Sequence, residues 1–60
     1  MIEEPSRILV ADDEPSLRSF LADALRTEGL RVDEAADGDA ALAAARRTEY
    51  AVVVSDLRMP

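Results

Sequence analysis

Residues 7–11, Arg-Ile-Leu-Val-Ala, are apolar almost without interruption and stop abruptly at Asp12, Asp13 and Glu14. A short apolar run ending in acids reads as a strand buried on both faces that stops at a charged loop. From Pro15 the period changes. Leu17, Phe20, Leu21, Ala24 and Leu25 recur at i, i+3, i+4, i+7 and i+8, the apolar stripe of a helix, with Pro15 suited to its first turn. Glu14 then stands where the helix dipole favours an acid. Gly29 is placed to take the left-handed conformation after the last turn, with Leu30 as the apolar residue of a Schellman motif touching Leu25. Leu30 and Val32 alternate with Arg31 and Asp33, which predicts a second strand with one face less buried, hence an edge strand. Asp37 is a cap for a second helix over residues 38–48, with Ala41, Leu42 and Ala45 facing inward. Tyr50 to Val54 is a β-branched run that again ends in acid, at Ser55-Asp56.

The order strand, helix, strand, helix, strand implies parallel pairing through right-handed crossovers, the α/β class. With the first strand between the other two, the crossovers run in opposite directions and the helices cover opposite faces of the sheet. The first and third strands then flank a switch point. Ligands of open parallel sheets bind beyond the carboxyl ends of strands at such a point. The residues there are Asp12, Asp13 and Asp56. At ~5 Å and an effective dielectric of about 20, each like-charge pair costs on the order of 3 kcal/mol, so the cluster needs a cation, a proton or wide separation. An all-oxygen site with few protein ligands suits Mg²⁺, which keeps several waters and shares its shell with phosphate. Taken singly, each acid reads as an ordinary solvated loop residue. Two apolar strands that both end in Asp, at positions a parallel sheet brings together, favour a functional site. An EF-hand loop started at Asp33 fails, because Ala35 and Ala44 stand where ligands are required.

Composition narrows the chemistry. The chain has 60 residues, 13 acidic and 7 basic side chains, a net charge of -6, and neither Cys nor His. Disulfides, thiolate nucleophiles, Cys- or His-based zinc sites and His-dependent catalytic triads are therefore excluded. The acidic balance argues against a face that binds nucleic-acid phosphates, and the longest apolar run is too short to span a bilayer. The opening Met-Ile-Glu-Glu-Pro-Ser lacks the basic and apolar regions of a secretory signal, so a cytoplasmic setting is expected. A chain of this length buries only about 60% of the surface its unfolded form exposes, so its own stability should be marginal.

The segment Ile8-Leu9-Val10-Ala11-Asp12-Asp13-Glu14, followed by Asp56-Leu57-Arg58-Met59-Pro60, resembles the receiver domain of bacterial two-component response regulators. Gly29-Leu30-Arg31-Val32, the stretch from Ala35 to Leu42 and the spacing to Asp56 extend the likeness over nearly the whole chain. Ser55 to Pro60 is most similar to receivers of the nitrogen-regulator type of transcriptional activator. The resemblance implies a flavodoxin-like doubly wound sheet of order 2-1-3, of which residues 1–60 are the amino-terminal half, ending after the phosphoacceptor loop. It also implies that Asp56 is the phosphoacceptor, Asp13 a direct Mg²⁺ ligand, Asp12 an acid that holds the metal mainly through water, and the Arg58 backbone carbonyl the remaining protein ligand. A sensor histidine kinase is the implied phosphodonor, and transcription the implied output, through a separate domain. Whole receivers add a Ser or Thr after a fourth strand and a Lys after a fifth. This chain has no Lys at all.

The expected function is therefore that of a phosphoacceptor module rather than an enzyme. The alternative is an inactive fragment or association element, pairing through the exposed edge of the third strand. An Asp-nucleophile phosphatase of the haloacid-dehalogenase type would need a second Asp two residues after Asp56, where Arg58 stands.

Overall fold

The computed structural model describes residues 7–55, which form β1 (Arg7–Ala11), α1 (Pro15–Thr27), β2 (Arg31–Ala35), α2 (Gly38–Arg47) and β3 (Val52–Ser55). The sheet is parallel, in the order β2-β1-β3. The α/β class, the order 2-1-3 and the β2 edge thus agree with the sequence. β1 alone is paired on both sides, and Leu9 and Val10 within it are almost wholly inaccessible. Side chains alternate across the pleat, so Ile8 and Val10 join Val32 and Ala22 of α1 on one face. Leu9 and Ala11 join Ala35 and Ala44 of α2 on the other.

The helix boundaries are set by local chemistry. Glu14 is the N-cap of α1, its carboxylate accepting the Leu17 N–H at 2.7 Å, with Pro15 opening the first turn. Asp37 caps α2 in the same way, accepting the Ala40 N–H at 2.8 Å. At the other end of α1, Gly29 lies at φ +89°; its N–H donates to Arg26 O, and that of Leu30 donates to Leu25 O. These two bonds make the Schellman motif, and Leu25 and Leu30 pack on the same core cluster.

The inward faces differ from the expected ones. In α1 the buried residue is Ala22, with Leu21 and Leu25 partly buried, whereas Leu17 and Phe20 are 43% and 68% exposed and Ala24 is exposed. In α2 burial centres on Ala44 and Ala41, while Leu42 and Ala45 are exposed. The reason lies in the sheet. Both helices pack on β1 and β2, and neither approaches β3. Each helix presents the row that meets those two strands, and small alanines let its backbone come close. The rest of the apolar stripe is left over an uncovered flank. β3 shows the same thing, with all four residues exposed and Tyr50 lying before the strand rather than in it.

A polar cluster ties the start of β1 to β2 and to the approach to β3. The Tyr50 hydroxyl donates to Asp33 Oδ2 at 2.6 Å, and Arg7 Nε donates to the same oxygen at 3.1 Å. These donors hold the Asp33 carboxyl below its ordinary value of 3.8, the tyrosine hydroxyl contributing most and Arg7 next. The same contact raises the Tyr50 hydroxyl above 10.0, because ionising it would put a phenolate beside a carboxylate.

Two predictions follow from this architecture. A Cβ at Gly29 would meet nothing within 4 Å, so Gly29→Ala should cost only the strain of the left-handed backbone, about 1 kcal/mol. Thermal unfolding followed by circular dichroism should show the loss, and an unchanged midpoint would contradict the motif. Tyr50→Phe should cost about 0.5–1 kcal/mol at neutral pH, the lower part of the hydrogen-bond range because the ion pair is about one-third exposed. A depressed carboxyl stabilises the fold above its ordinary value and loses that contribution as pH falls through its folded value. A raised hydroxyl stabilises below its ordinary value and loses that contribution as pH rises. The deficit of the variant should therefore shrink below about pH 4 and again above about pH 10, and a deficit independent of pH would refute the assignment.

Candidate functional site

The carboxyl ends of the three strands are level with one another, with Ala11 beside Ala35 on one side and beside Ser55 on the other. Asp12 follows Ala11 directly and is only 2% exposed, the one buried charged residue among those described. Its polar atoms are individually accounted for. The Asp12 N–H donates to Ala35 O at 3.1 Å, which extends the strand pairing by one bond. Oδ1 accepts the Glu14 N–H at 2.8 Å, folding the chain from β1 into the first turn of α1. The backbone carbonyl accepts from Arg18 Nη1 at 3.0 Å. Oδ2 is buried and, among the described residues, has no partner.

A buried carboxylate oxygen without a donor costs about 1–3 kcal/mol or more, and a cation would offset that cost. Asp13, the next residue, is exposed and adds a second negative charge beside it. The donors offered here are all oxygens, a set that fits a hard divalent ion such as Mg²⁺ and gives nothing to a soft metal. The residues present therefore fit the cation expected from the sequence. Asp56 and Arg58, the other two expected site residues, lie outside the described residues. Among the described residues, no three acidic side chains converge on one point. The structure thus separates the acids: Asp12 is inward, whereas Asp13 and Glu14 are outward.

The sequence reading passed over Arg18. Its Nε donates to Glu34 Oε1 at 3.3 Å while Nη1 holds the Asp12 carbonyl, so one guanidinium bridges the edge strand and the acidic turn. Glu34 is braced in turn by Arg26, whose Nη1 lies 3.2 Å from Oε2 and whose Nη2 donates to Val32 O at 2.8 Å. A signal did exist. A cation near the start of a helix opposes the dipole, which points to an anionic or carbonyl partner close by. Nothing local named Glu34, sixteen residues away.

Residues 8–60 match the family described as the response regulator receiver domain. The probable transcriptional regulatory protein TcrX of Mycobacterium tuberculosis is 47% identical over 57 residues, covering 95% of this chain and 24% of that protein. A protein-glutamate methylesterase/protein-glutamine glutaminase of Anaeromyxobacter dehalogenans is 48% identical over 60 residues, covering 97% and 18%. The chain thus spans about a quarter or less of the length of these relatives. Among solved structures, the response regulator protein TrrA from Thermotoga maritima, in complex with Mg(2+)-BeF, superposes with a TM-score of 0.83 at 42% identity, over 92% of this chain and 48% of that one. The sheet order, the acidic end of β1 and a family match covering all but the first seven residues lead to one assignment: this chain belongs to the response regulator receiver domain family.

Proposed function

We propose that this segment is a phosphoacceptor module that receives a phosphoryl group on Asp56 from a sensor histidine kinase. In this reading Mg²⁺ is held by Asp12, Asp13, Asp56 and the Arg58 backbone carbonyl. The observation that carries the proposal is the buried Oδ2 of Asp12, without a partner among the described residues, at the end of a strand whose last residue is in register with Ser55, the residue before Asp56 in the chain. A Mg(2+)-BeF complex of a relative with the same fold supports it. In the transfer, a carboxylate oxygen of Asp56 forms a bond to phosphorus as the N–P bond of the donor's phosphohistidine breaks, and the released imidazole takes up a proton. The bound cation would screen the repulsion between the carboxylate and the phosphoryl group. Asp12 contributes a fixed carboxylate, held through Oδ1 by the Glu14 N–H, whose Oδ2 reaches the ion mainly through water. Asp13, exposed, contributes one that solvent reaches.

Names such as TcrX support transcription as the output, and the methylesterase relative shows a similar segment within an enzyme. The segment itself acts as a signalling module in this reading, with DNA contact or catalysis residing in another domain. Among the described residues, no helix is long and apolar enough to cross a membrane.

A second role rests on β3. Val52, Val53 and Val54 are 50%, 52% and 38% exposed, and their outer edge carries no charge or proline. Such an edge lacks the usual protection against pairing, so two copies of the chain join through β3 when nothing else covers it.

With residues 1–60 placed in a complete receiver, Mg²⁺ and acetyl phosphate should add one phosphoryl mass, and Asp56→Asn should abolish it. Phosphorylation surviving that change, read by intact mass, would refute the acceptor. Asp13→Asn should weaken Mg²⁺ binding more than Asp12→Asn does, because Asp13 is the direct ligand in this reading; equal affinities would contradict those roles. The 60-residue chain alone should sediment as a species whose mass and helicity fall together on dilution. A folded monomer at all micromolar concentrations would rule out the β3 pairing.

A further inference from the structure

We infer that Arg18 is a positioning residue for the acidic turn, setting through the Asp12 backbone how well that turn binds a divalent cation; this rests on the Mg²⁺ reading above. Asp12 is fixed at its N–H by Ala35 and at Oδ1 by Glu14. The remaining backbone handle is its carbonyl, and the guanidinium of Arg18 holds it at 3.0 Å. The peptide that this carbonyl belongs to links Asp12 to Asp13, so its orientation sets where both carboxylates point. Arg18 is well placed for the task. Its side chain is only 19% exposed, and its position is set by Glu34 on β2, which Arg26 also grips. The chain of contacts Arg26, Glu34, Arg18, Asp12 carbonyl therefore anchors the turn to the edge strand of the sheet.

Charge and geometry make opposite predictions here. As a mere cation near the acids, Arg18 would repel Mg²⁺, so removing its charge would tighten binding. As a positioning group it must help, and removing it loosens the turn. A lysine separates the two further, because it keeps the charge but lacks the planar fork that reaches Glu34 and the carbonyl together.

The test is calorimetric titration of the 60-residue chain with MgCl₂ at constant ionic strength and fixed protein concentration, circular dichroism confirming the fold of each variant. Arg18→Gln should bind Mg²⁺ about tenfold more weakly than the parent, the usual scale for a group that orients a ligand. Arg18→Lys should also weaken binding despite its charge. Glu34→Gln, which leaves Arg18 in place but removes the charge that steadies it, should weaken binding severalfold and serves if the Arg18 variants fail to fold. Affinity unchanged or raised in folded Arg18→Gln, parental affinity in Arg18→Lys, or parental affinity in Glu34→Gln would each overturn the inference. Asp13→Asn distinguishes the two levels of the argument. If it leaves Mg²⁺ binding unaltered, the metal reading itself fails; if it weakens binding while the Arg18 and Glu34 variants do not, only the positioning role is lost.

Discussion

The pairing of β1 on both sides organises this molecule. A strand in the middle of a parallel sheet must satisfy its backbone toward two neighbours and bury both faces of its side chains, which is why Ile8, Leu9, Val10 and Ala11 are apolar in succession. The crossover from β1 to β2 and the one from β2 back past β1 to β3 run in opposite directions, so one helix covers each face. A consequence is that the carboxyl end of β1 is buried beneath its neighbours as well. Asp12, the first residue beyond the strand, is carried into a nearly inaccessible position by a fold that has no need of a charge there.

Burying that carboxylate is unfavourable, and the described residues offset the cost incompletely. The amide of Glu14 satisfies one oxygen, and the other has no partner among the described residues. Meanwhile the guanidinium of Arg18 is spent on the backbone carbonyl and on Glu34 rather than on the carboxylate itself. Such an arrangement holds the turn by its backbone and by Oδ1 while the Arg18 guanidinium leaves the carboxylate itself free of an ion pair among the described residues.

The sheet is asymmetric about β1. Polar contacts of Arg7 and Tyr50 with Asp33, and the Arg18–Glu34–Arg26 chain, link β2 to the rest of the molecule, so its polar side chains satisfy one another where water reaches them. Among the described residues the β3 edge has no such links, and neither helix extends over it. Leu17, Phe20 and Leu42 remain exposed for the same reason, since the helices are pulled toward the two strands they contact. Since the solved relative aligns over only 48% of its own length, the matched fold contains further chain beyond the part shared here.

Much of this was legible in the sequence. The number and order of the elements, the cap at Asp37, the acid at the start of α1, the left-handed Gly29 and the acidic ends of the strands depend on residues a few positions apart, whereas the capping bond of Glu14 to the Leu17 N–H was seen only in the structure. Local periodicity and side-chain chemistry determine these. Which row of each helix is buried was not legible, because the stripe of Leu17, Phe20, Leu21, Ala24 and Leu25 is wider than the surface offered to it, and only the arrangement of strands selects Ala22, Leu21 and Leu25. Likewise the local pattern of Asp12 and Asp13 does not show which of the two is buried. Only the tertiary structure turned the first inward and left the second in water, and only it brought Glu34 and Arg18 together at the turn, because burial and long-range ion pairing are decided by which strand lies beside which.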